Sequence, residues 1–257
     1  METLKVNGLI IREVSVGDSD KLITVLTDTV GKITVSCKGV RNIKSRRIAA
    51  SQLFSYGELL LNVRAGRYYL SDATVENSFF ELNTSLEKLS LAQYFCQTVS
   101  CVTVENEEQR DILSLILNSL YVLCHTKKDP DFVKAVFEMR LCALVGFCPD
   151  LSACQGCGFE FDSFEKSLYL DIGGGCLLCS DCLLNEGQKD SLVPLERHIL
   201  YALRYIVSAP PKKIFSFAFS DDQGSAKELS DITEKYLRYH LDRGFETLDF
   251  YHSIIGL

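Results

Sequence analysis

The sequence lacks any run of about 18 apolar residues, the length needed for a membrane-spanning helix. Its first residues also lack the basic segment and long apolar core that are typical of a secretory signal peptide. We therefore expect a cytoplasmic protein with no membrane association. Because reducing conditions disfavour disulfides, closely paired cysteines among the eleven predict a metal site, and the scattered ones predict ordinary buried thiols.

The common catalytic motifs are absent as well. Gly31-Lys32 resembles the end of a phosphate-binding P-loop, but Ile33 follows where Ser or Thr is required. There is no GxSxG, HExxH or GxGxxG motif. Histidine is scarce and shows no metal-ligand spacing; the four are His125, His198, His240 and His252. These absences predict that the protein is not an enzyme.

Charge is distributed unevenly along the chain. The formal net charge is −7, yet residues 1–80 contain 11 Lys/Arg against 8 Asp/Glu. Within residues 38–47, "KGVRNIKSRR", five of ten side chains are basic and none is acidic. An acidic protein can therefore still present one basic face to a polyanion.

The first 80 residues have the pattern of strands. β-Branched residues are frequent, polar and apolar positions alternate, and Gly31 and Ala65-Gly66 mark turns. Five short strands in about 75 residues predict a small β-barrel, for which the OB type is the best match. We assign residues 1–80 to this OB-fold domain.

Helical periodicity begins near Ser85, and the predicted fold class is therefore α+β and multidomain. Residues 81–150 and 190–257 are assigned to an all-α domain, and residues 151–189 to an embedded zinc-finger module. Asp129 and Pro130 predict the start of one helix, and Ser225 with Glu228 predicts a capping box at the start of another.

The cysteine-rich segment predicts a zinc site with four cysteine ligands. Cys154 and Cys157 form one CxxC pair, while "CLLCSDC" offers two overlapping pairs through Cys176, Cys179 and Cys182. Each CxxC turn directs two thiolates at one ion, and two such turns complete a tetrahedral Zn²⁺ site. A site closed by four sulfurs is structural rather than catalytic.

Five cysteines compete for four positions in this site. By the symmetry of the two turns we select Cys154, Cys157, Cys179 and Cys182. "GGGCLLC" is expected to form a strand that points Cys176 away from the metal, although Cys176 in place of Cys179 stays open.

The basic stretch has two interpretations besides a solvated loop. It connects two predicted barrel strands and is followed by Arg64, Arg67 and the pair Tyr68-Tyr69, only one of which can face outward. Cations and aromatic rings on a barrel suit a nucleic-acid strand, whose phosphates pair with charge and whose bases stack. An acidic protein partner would be attracted by the same surface.

The chain resembles the RecO family of bacterial DNA-repair and recombination mediators. The resemblance starts in residues 8–61 with the family pattern of a glycine, an acidic D-x-D, L-T-x-x-x-G-K, A-K-G-x-R and S-R. It continues through "FEMRLCALVGFCPDLSAC" and the glycine-led "GGGCLLCSDC". The first set of matching positions is Gly8, Asp18, Asp20, Leu22, Leu26, Thr27, Gly31, Lys32, Lys38, Gly39, Arg41, Ser45, Arg46 and Phe54. Cys37 and Leu53 depart from the usual Ala and Pro.

The resemblance implies an OB domain, a helical domain and a zinc module whose ligands include Cys179 and Cys182. It implies binding of single- and double-stranded DNA, annealing of complementary strands, and loading of RecA onto strands coated by single-strand-binding protein. The implied partners are DNA, RecR, the acidic C-terminal tail of single-strand-binding protein and, indirectly, RecA. The implied location is the bacterial cytoplasm at the nucleoid.

The resemblance also suggests individual residues. It implies DNA contacts for Lys38, Arg41 and Arg46. Charge and position alone add further candidates, namely Lys44, Arg47, Arg64 and Arg67. Arg140 also matches a family position. Two roles are considered for it: pairing with a carboxylate, or binding the acidic tail of single-strand-binding protein. The alternative function is a zinc-ribbon module for protein–protein interaction without a DNA role.

Overall fold

The structure is a computed structural model that describes residues 2–42, 47–161, 166–186, 191–219 and 223–256. The chain packs into two compact units. The first comprises Met1–Thr126 and Phe245–Leu257, and the second comprises Lys127–Gly244. This packing groups the chain differently from the three predicted segments, because the helices that follow the barrel and the C-terminal helix lie with the barrel.

The first unit is built on a closed barrel of five strands in the order β1-β2-β3-β5-β4. The strands are β1 (Glu2–Val16), β2 (Asp20–Thr27), β3 (Lys32–Cys37), β4 (Tyr56–Arg64) and β5 (Arg67–Asn77). All neighbours pair antiparallel except β3 and β5, which pair parallel. This is the Greek-key arrangement of an OB-like barrel, so the predicted barrel class is confirmed.

The barrel core follows from the alternation of the strands. In β3 the side chains of Ile33, Val35 and Cys37 are buried, while the intervening ones are at least partly exposed. At the predicted hairpin Ala65 and Gly66 both have positive φ, 46° and 71°. That geometry matches the twist of the two strands it joins, β4 and β5.

The β2–β3 turn is fastened to the helices of its own unit. Gly31 has φ 72°, and a Cβ at this position would lie 2.1 Å from the carbonyl oxygen of Val104. The ammonium of Lys32 donates to the carbonyl of Ser100, in the last turn of the following helix. The Gly-Lys pair that resembled a P-loop therefore serves packing: glycine permits the close approach and lysine caps a helix C-terminus.

Among the residues described, three α-helices accompany the barrel: α1 (Leu86–Val102), α2 (Arg110–His125) and α7 (Glu246–Ile255). Ser85 caps α1 by accepting from the backbone N–H of Lys88 at 3.4 Å. The sequence analysis did not predict α7. It is held by Phe245, which is buried edge-to-face against Tyr94 on α1 with ring centroids 5.6 Å apart.

The second unit combines helices with a small sheet. Its helices are α3 (Pro130–Leu144), α4 (Ser180–Glu186), α5 (Arg197–Ser208) and α6 (Gln223–Leu241). Its strands are β6 (Asp150–Cys154), β7 (Leu168–Asp171), β8 (Cys176–Cys179) and β9 (Leu192–Pro194), in the order β6-β8-β7-β9. Within the described ranges, no helix combines the length and the apolar character needed to cross a bilayer.

One of the two predicted helix starts is confirmed and the other is wrong. Asp129 accepts from the backbone N–H of Asp131 at 2.8 Å, with Pro130 at the first position of α3. Ser225 does not cap α6, because the helix begins two residues earlier at Gln223. The Ser225 hydroxyl lies instead 3.1 Å from Nε2 of His198 on α5.

Candidate metal centre and nucleic-acid interface

Four cysteines of the second unit converge at one point. The Sγ atoms of Cys154, Cys157, Cys179 and Cys182 all lie within 4.8 Å of one another. Cys154 and Cys179 end strands β6 and β8; Cys157 follows in a turn, and Cys182 lies in the first turn of α4. Gly156 allows this convergence, because a Cβ there would lie 2.8 Å from the Cys182 sulfur.

The geometry of the cluster fits a tetrahedral ion. Zn–S bonds of about 2.3 Å require sulfur–sulfur separations of about 3.8 Å in a regular tetrahedron. The Cys157 and Cys179 sulfurs are 3.8 Å apart. These four cysteines could therefore hold a metal ion with little rearrangement.

The electrostatics of the cluster call for a cation. Burial opposes ionisation of Cys154, but the backbone N–H groups of Cys179, Cys157 and Gly156 outweigh it and lower the pKa of Cys154 to about 7. The thiol contact with Cys157 and the other neighbouring sulfurs raise the pKa of Cys182 to about 12. Four thiolates this close can coexist only with a positive ion among them, since like charges disfavour each other.

Cys176 lies outside this group of four. It starts β8, where it pairs in register with Asp171 of β7 and Asp150 of β6. Its side chain is buried. The Cys176 sulfur lies 3.2 Å from where a Cβ of Gly174 would be, so it packs against the glycine loop rather than the cluster.

Helices α5 and α6 hold the cysteine-bearing sheet in place. Arg204 on α5 donates from Nε to the carbonyl of Leu151 at 2.7 Å and from Nη2 to that of Ser152 at 2.8 Å. His240 on α6 has Nε2 2.9 Å from the carbonyl oxygen of Ile172, and burial lowers the pKa of this histidine. Both side chains hold backbone carbonyl groups of the sheet and its loop, which is a structural role.

The basic stretch is only partly described by the structure. Lys38 and Arg41 are exposed, whereas Lys44 and Arg46 lie outside the described residues. Arg41 donates from its backbone N–H to the carbonyl of Ser19 at 2.9 Å and from Nη1 to that of Gly17 at 3.0 Å. The start of the stretch is therefore tied to the turn between β1 and β2.

Asp20 reinforces this attachment. Its Oδ1 accepts from the backbone N–H of Gly39 at 2.8 Å, and that bond holds the pKa of Asp20 below its ordinary value. Sequence reasoning noted Asp20 only as a matching position and missed this role. No local sequence signal marked this contact, because Asp20 lies 19 residues before Gly39 in the chain.

Arg47 lies against the barrel. Its Nη1 donates to the carbonyl of Leu70 at 2.9 Å, and its Nη2 donates to that of Lys38 at 3.3 Å. Arg47 thus anchors the end of the basic stretch to β5 while adding positive charge to this face.

A groove of about 520 Å³ brings several predicted residues together on the barrel surface. It is lined by Lys38, which follows β3, and by three residues of β5, the strand between β3 and β4 in the sheet: Arg67, Tyr68 and Tyr69. Its further lining residues are Leu22, Thr34, Ser36, Gly66 and Glu105. Arg64 is exposed at the β4–β5 hairpin, close in sequence to Gly66 and Arg67, but it does not line the groove.

Arg140 has a partner that the sequence analysis did not foresee. Its Nη1 donates to the carbonyl oxygens of Ile206 at 3.1 Å and Val207 at 2.6 Å, in the last turn of α5. A guanidinium at a helix C-terminus satisfies carbonyls that have no intrahelical donor. The structure thus gives Arg140 a helix-capping contact, whereas the sequence analysis left a carboxylate or the acidic tail as its partner.

Comparison with known proteins covers nearly the whole chain. The family model "Recombination protein O N terminal" matches residues 1–79, and "Recombination protein O C terminal" matches residues 83–249. The DNA repair protein RecO of Acetivibrio thermocellus is 34% identical over 255 residues, covering 99% of this chain and 98% of that protein. The RecO protein of Symbiobacterium thermophilum is 31% identical over 254 residues, covering 99% of this chain and 98% of that protein. The RecO protein of Caldicellulosiruptor bescii is 27% identical over 254 residues, covering 99% of this chain and 100% of that protein. The chain belongs to the RecO family of DNA repair proteins.

Proposed function

We propose that this protein binds single- and double-stranded DNA, anneals complementary strands and helps to load RecA onto strands coated by single-strand-binding protein. The observation that carries the proposal is the barrel groove, where Lys38 and Arg67 flank aromatic side chains. Membership of the RecO family supports a role in DNA repair.

The charge distribution supports this assignment. Residues 30–71 contain eight basic side chains and one acid, Glu58, and the acid is paired with Lys5 at 2.7 Å. A concentrated basic surface binds DNA by displacing the counterions condensed on phosphates. The same displacement lowers the repulsion between two strands that must approach each other to pair, so annealing requires no bond chemistry.

Replacing Lys38 and Arg67 together by Ala is expected to weaken the salt dependence of DNA binding. On single strands each phosphate contact contributes about 0.7 to the slope of log affinity against log salt, so the slope should flatten by about 1.4. Homopolymer and mixed sequences should be affected alike, because phosphate contacts carry no base information. Fluorescence anisotropy with a labelled oligonucleotide at several salt concentrations measures this slope.

The matched control is the double replacement of Lys212 and Lys213 by Ala, which changes net charge equally at an exposed turn of the other unit. Its slope should stay at the wild-type value. If the two double variants behave alike, DNA is held elsewhere. If the wild type binds no oligonucleotide at low salt, the alternative of a protein-interaction module without a DNA role gains support.

Annealing is expected to proceed without nucleotide hydrolysis, because we propose that the protein is not an enzyme. Two complementary labelled strands should pair faster in its presence with neither ATP nor magnesium added. The Lys38 and Arg67 double variant should lose most of this acceleration. A requirement for ATP, or ATP turnover abolished by a point substitution, would contradict the proposal.

We propose Zn²⁺ as the ion held by Cys154, Cys157, Cys179 and Cys182. Four thiolates in tetrahedral arrangement favour zinc among the common cellular ions, and four protein ligands leave no open position for a substrate. The ion would thus fasten the β6 and β8 turns to each other.

The proposed protein partners follow from family membership. They are RecR, the acidic C-terminal tail of single-strand-binding protein and, indirectly, RecA. DNA as the ligand would place the protein at the nucleoid in the bacterial cytoplasm. Co-purification with RecR, and a pull-down with a peptide of the acidic tail, test the direct contacts.

A further inference from the structure

We propose that the outer barrel face around Tyr69 holds unpaired bases, so that it retains single strands and releases them once they have paired. This inference rests on the proposed DNA binding and specifies which form of DNA the groove selects. The Tyr69 side chain belongs to a row of outward side chains that crosses the barrel strands.

The row is set by strand register. Val14 of β1 pairs with Leu22 of β2, Leu22 pairs with Ser36 of β3, and Ser36 pairs with Tyr69 of β5. Val14 and Leu22 are 42% and 41% exposed, which is unusual for aliphatic side chains in a barrel strand. Paired residues on neighbouring strands share one face, so these four side chains form a continuous strip.

Alternation along β5 decides which tyrosine belongs to this strip. Leu70 is buried in the barrel core, and Tyr68 packs against the same core. Tyr69 lies between them in sequence, so its side chain is on the outer face. The sequence allowed only one outward tyrosine, and the register identifies it as Tyr69.

Two cations lie on opposite sides of the strip. Lys38 follows Ser36 by two residues and lies just past the end of β3, and Arg67 precedes Tyr69 by two residues at the start of β5. Because β3 and β5 are parallel, these positions are displaced from the strip in opposite directions, and Arg67 lies about 6.6 Å from it along β5. Bases on the strip would therefore have a positive side chain on either side for their phosphates, while Glu105 occupies one part of the groove edge.

This arrangement distinguishes single strands from duplex. An unpaired base can expose its face to the Tyr69 ring and to the aliphatic side chains, whereas the faces of bases inside a duplex are covered by their neighbours. A duplex can use the cations alone. Binding at this face therefore favours the substrates of annealing over its product, which allows the product to leave.

Tyr69→Ala is expected to weaken binding of single-stranded oligonucleotides by about 5- to 150-fold, the range for loss of one base–aromatic stack. Affinity for a duplex of the same length should be unchanged, and the salt slope should stay at the wild-type value. Tyr69→Phe should restore single-strand affinity, because stacking requires the ring and not the hydroxyl. Tyr121→Ala removes a 54% exposed tyrosine from α2 and serves as the matched control.

A second measurement uses fluorescence to detect bases that stack on the strip. The chain contains no tryptophan, so Leu22→Trp introduces a single indole into the strip, two strands away from Tyr69. Poly-dT should quench the fluorescence of that indole by stacking, and duplex at equal occupancy should not.

The outcomes separate this inference from the proposed function. Equal loss of single-strand and duplex affinity in Tyr69→Ala, or equal quenching by both ligands in Leu22→Trp, would overturn the selection of unpaired bases while leaving DNA binding intact. Absence of DNA binding by the wild type would instead overturn the proposed function. Circular dichroism of each variant excludes loss of fold as the cause.

Discussion

Cys179→Ser is expected to leave the purified protein without its metal ion. The Cys179 sulfur is fully buried and lies 3.8 Å from that of Cys157, and its backbone N–H donates to the Cys154 sulfur at 3.3 Å. A serine hydroxyl does not ionise at neutral pH and is a poor ligand for zinc, so three sulfurs would remain with one open position. Elemental analysis should find one zinc per chain in the wild type and almost none in this variant.

The loss of metal should also loosen the second unit. Without the ion the sulfurs must take up protons, and the turns after β6 and β8 lose the bond that joins them. Faster amide hydrogen exchange in residues 150–182 than in the barrel would report this local opening.

Cys176→Ser is the matched control, because Cys176 stands three residues before Cys179 on the same strand but outside the cluster. It should retain its zinc and its exchange protection. The reverse result, with metal lost only when Cys176 is replaced, would show that Cys176 belongs to the site in place of Cys179.

Lys134→Met is expected to cost about 3–5 kcal/mol of unfolding free energy. Lys134 on α3 is fully buried, with Nζ 3.0 Å from Oε1 of Glu138 on the same helix and 2.9 Å from Oε2 of Glu234 on α6. Its Nζ also donates to Ser230 Oγ at 3.1 Å, and Thr233 donates to Glu138 at 2.8 Å. Removal of the ammonium would take the Lys134 cation away from the buried Glu138 and leave Glu234 with Arg238, whose Nη1 is 3.6 Å away.

The charge on Lys134 is present under ordinary conditions. Burial favours the neutral amine, but Glu138 and Glu234 outweigh it and raise the pKa of Lys134 above its ordinary 10.5. Because the folded pKa is raised, this stabilisation is complete below pH 10.5 and is lost only as the pH rises through the folded value. Urea denaturation at pH 7 therefore measures the charged cluster.

Two comparisons separate charge from packing. Lys227→Met removes an exposed lysine on α6 that lies 3.0 Å from Asp231, and it should cost less than about 0.5 kcal/mol. Adding Glu138→Gln and Glu234→Gln to Lys134→Met should recover part of the loss, because neutral amides have no charge to leave unpaired. If Lys134→Met is as stable as the wild type, the cluster does not hold α3 against α6.

Local chemistry determined the features that the sequence predicted correctly. Alternation of apolar residues gave the barrel strands, because neighbouring side chains of a strand point to opposite faces wherever the strand lies. Asp129 and Pro130 gave the start of α3 through contacts within one turn. The CxxC spacing brought each cysteine pair together for the same reason, since a tight turn needs only the residues inside it.

The hydrogen-bond partners of the basic stretch could not be predicted from local sequence. Its charge was visible in the sequence, but Arg47 is held by the carbonyls of Leu70 and Lys38, and Asp20 holds Gly39 from the other side of the barrel hairpin. These partners are 9 to 23 residues apart in the chain. No local pattern specifies such bonds, because they form only after distant strands have paired.

The sequence by itself determined the barrel class, the cysteine pairs and the uneven charge, since each depends on residues close together in the chain. Tertiary structure decided that Tyr69 rather than Tyr68 faces outward, that Lys134 is buried among carboxylates, and that Arg140 caps α5. It also placed α7 beside α1 through Phe245. The physical reason is the same for these four features. The burial of a side chain and its hydrogen-bond partners depend on which distant segments meet, and strand register and helix packing determine which segments meet.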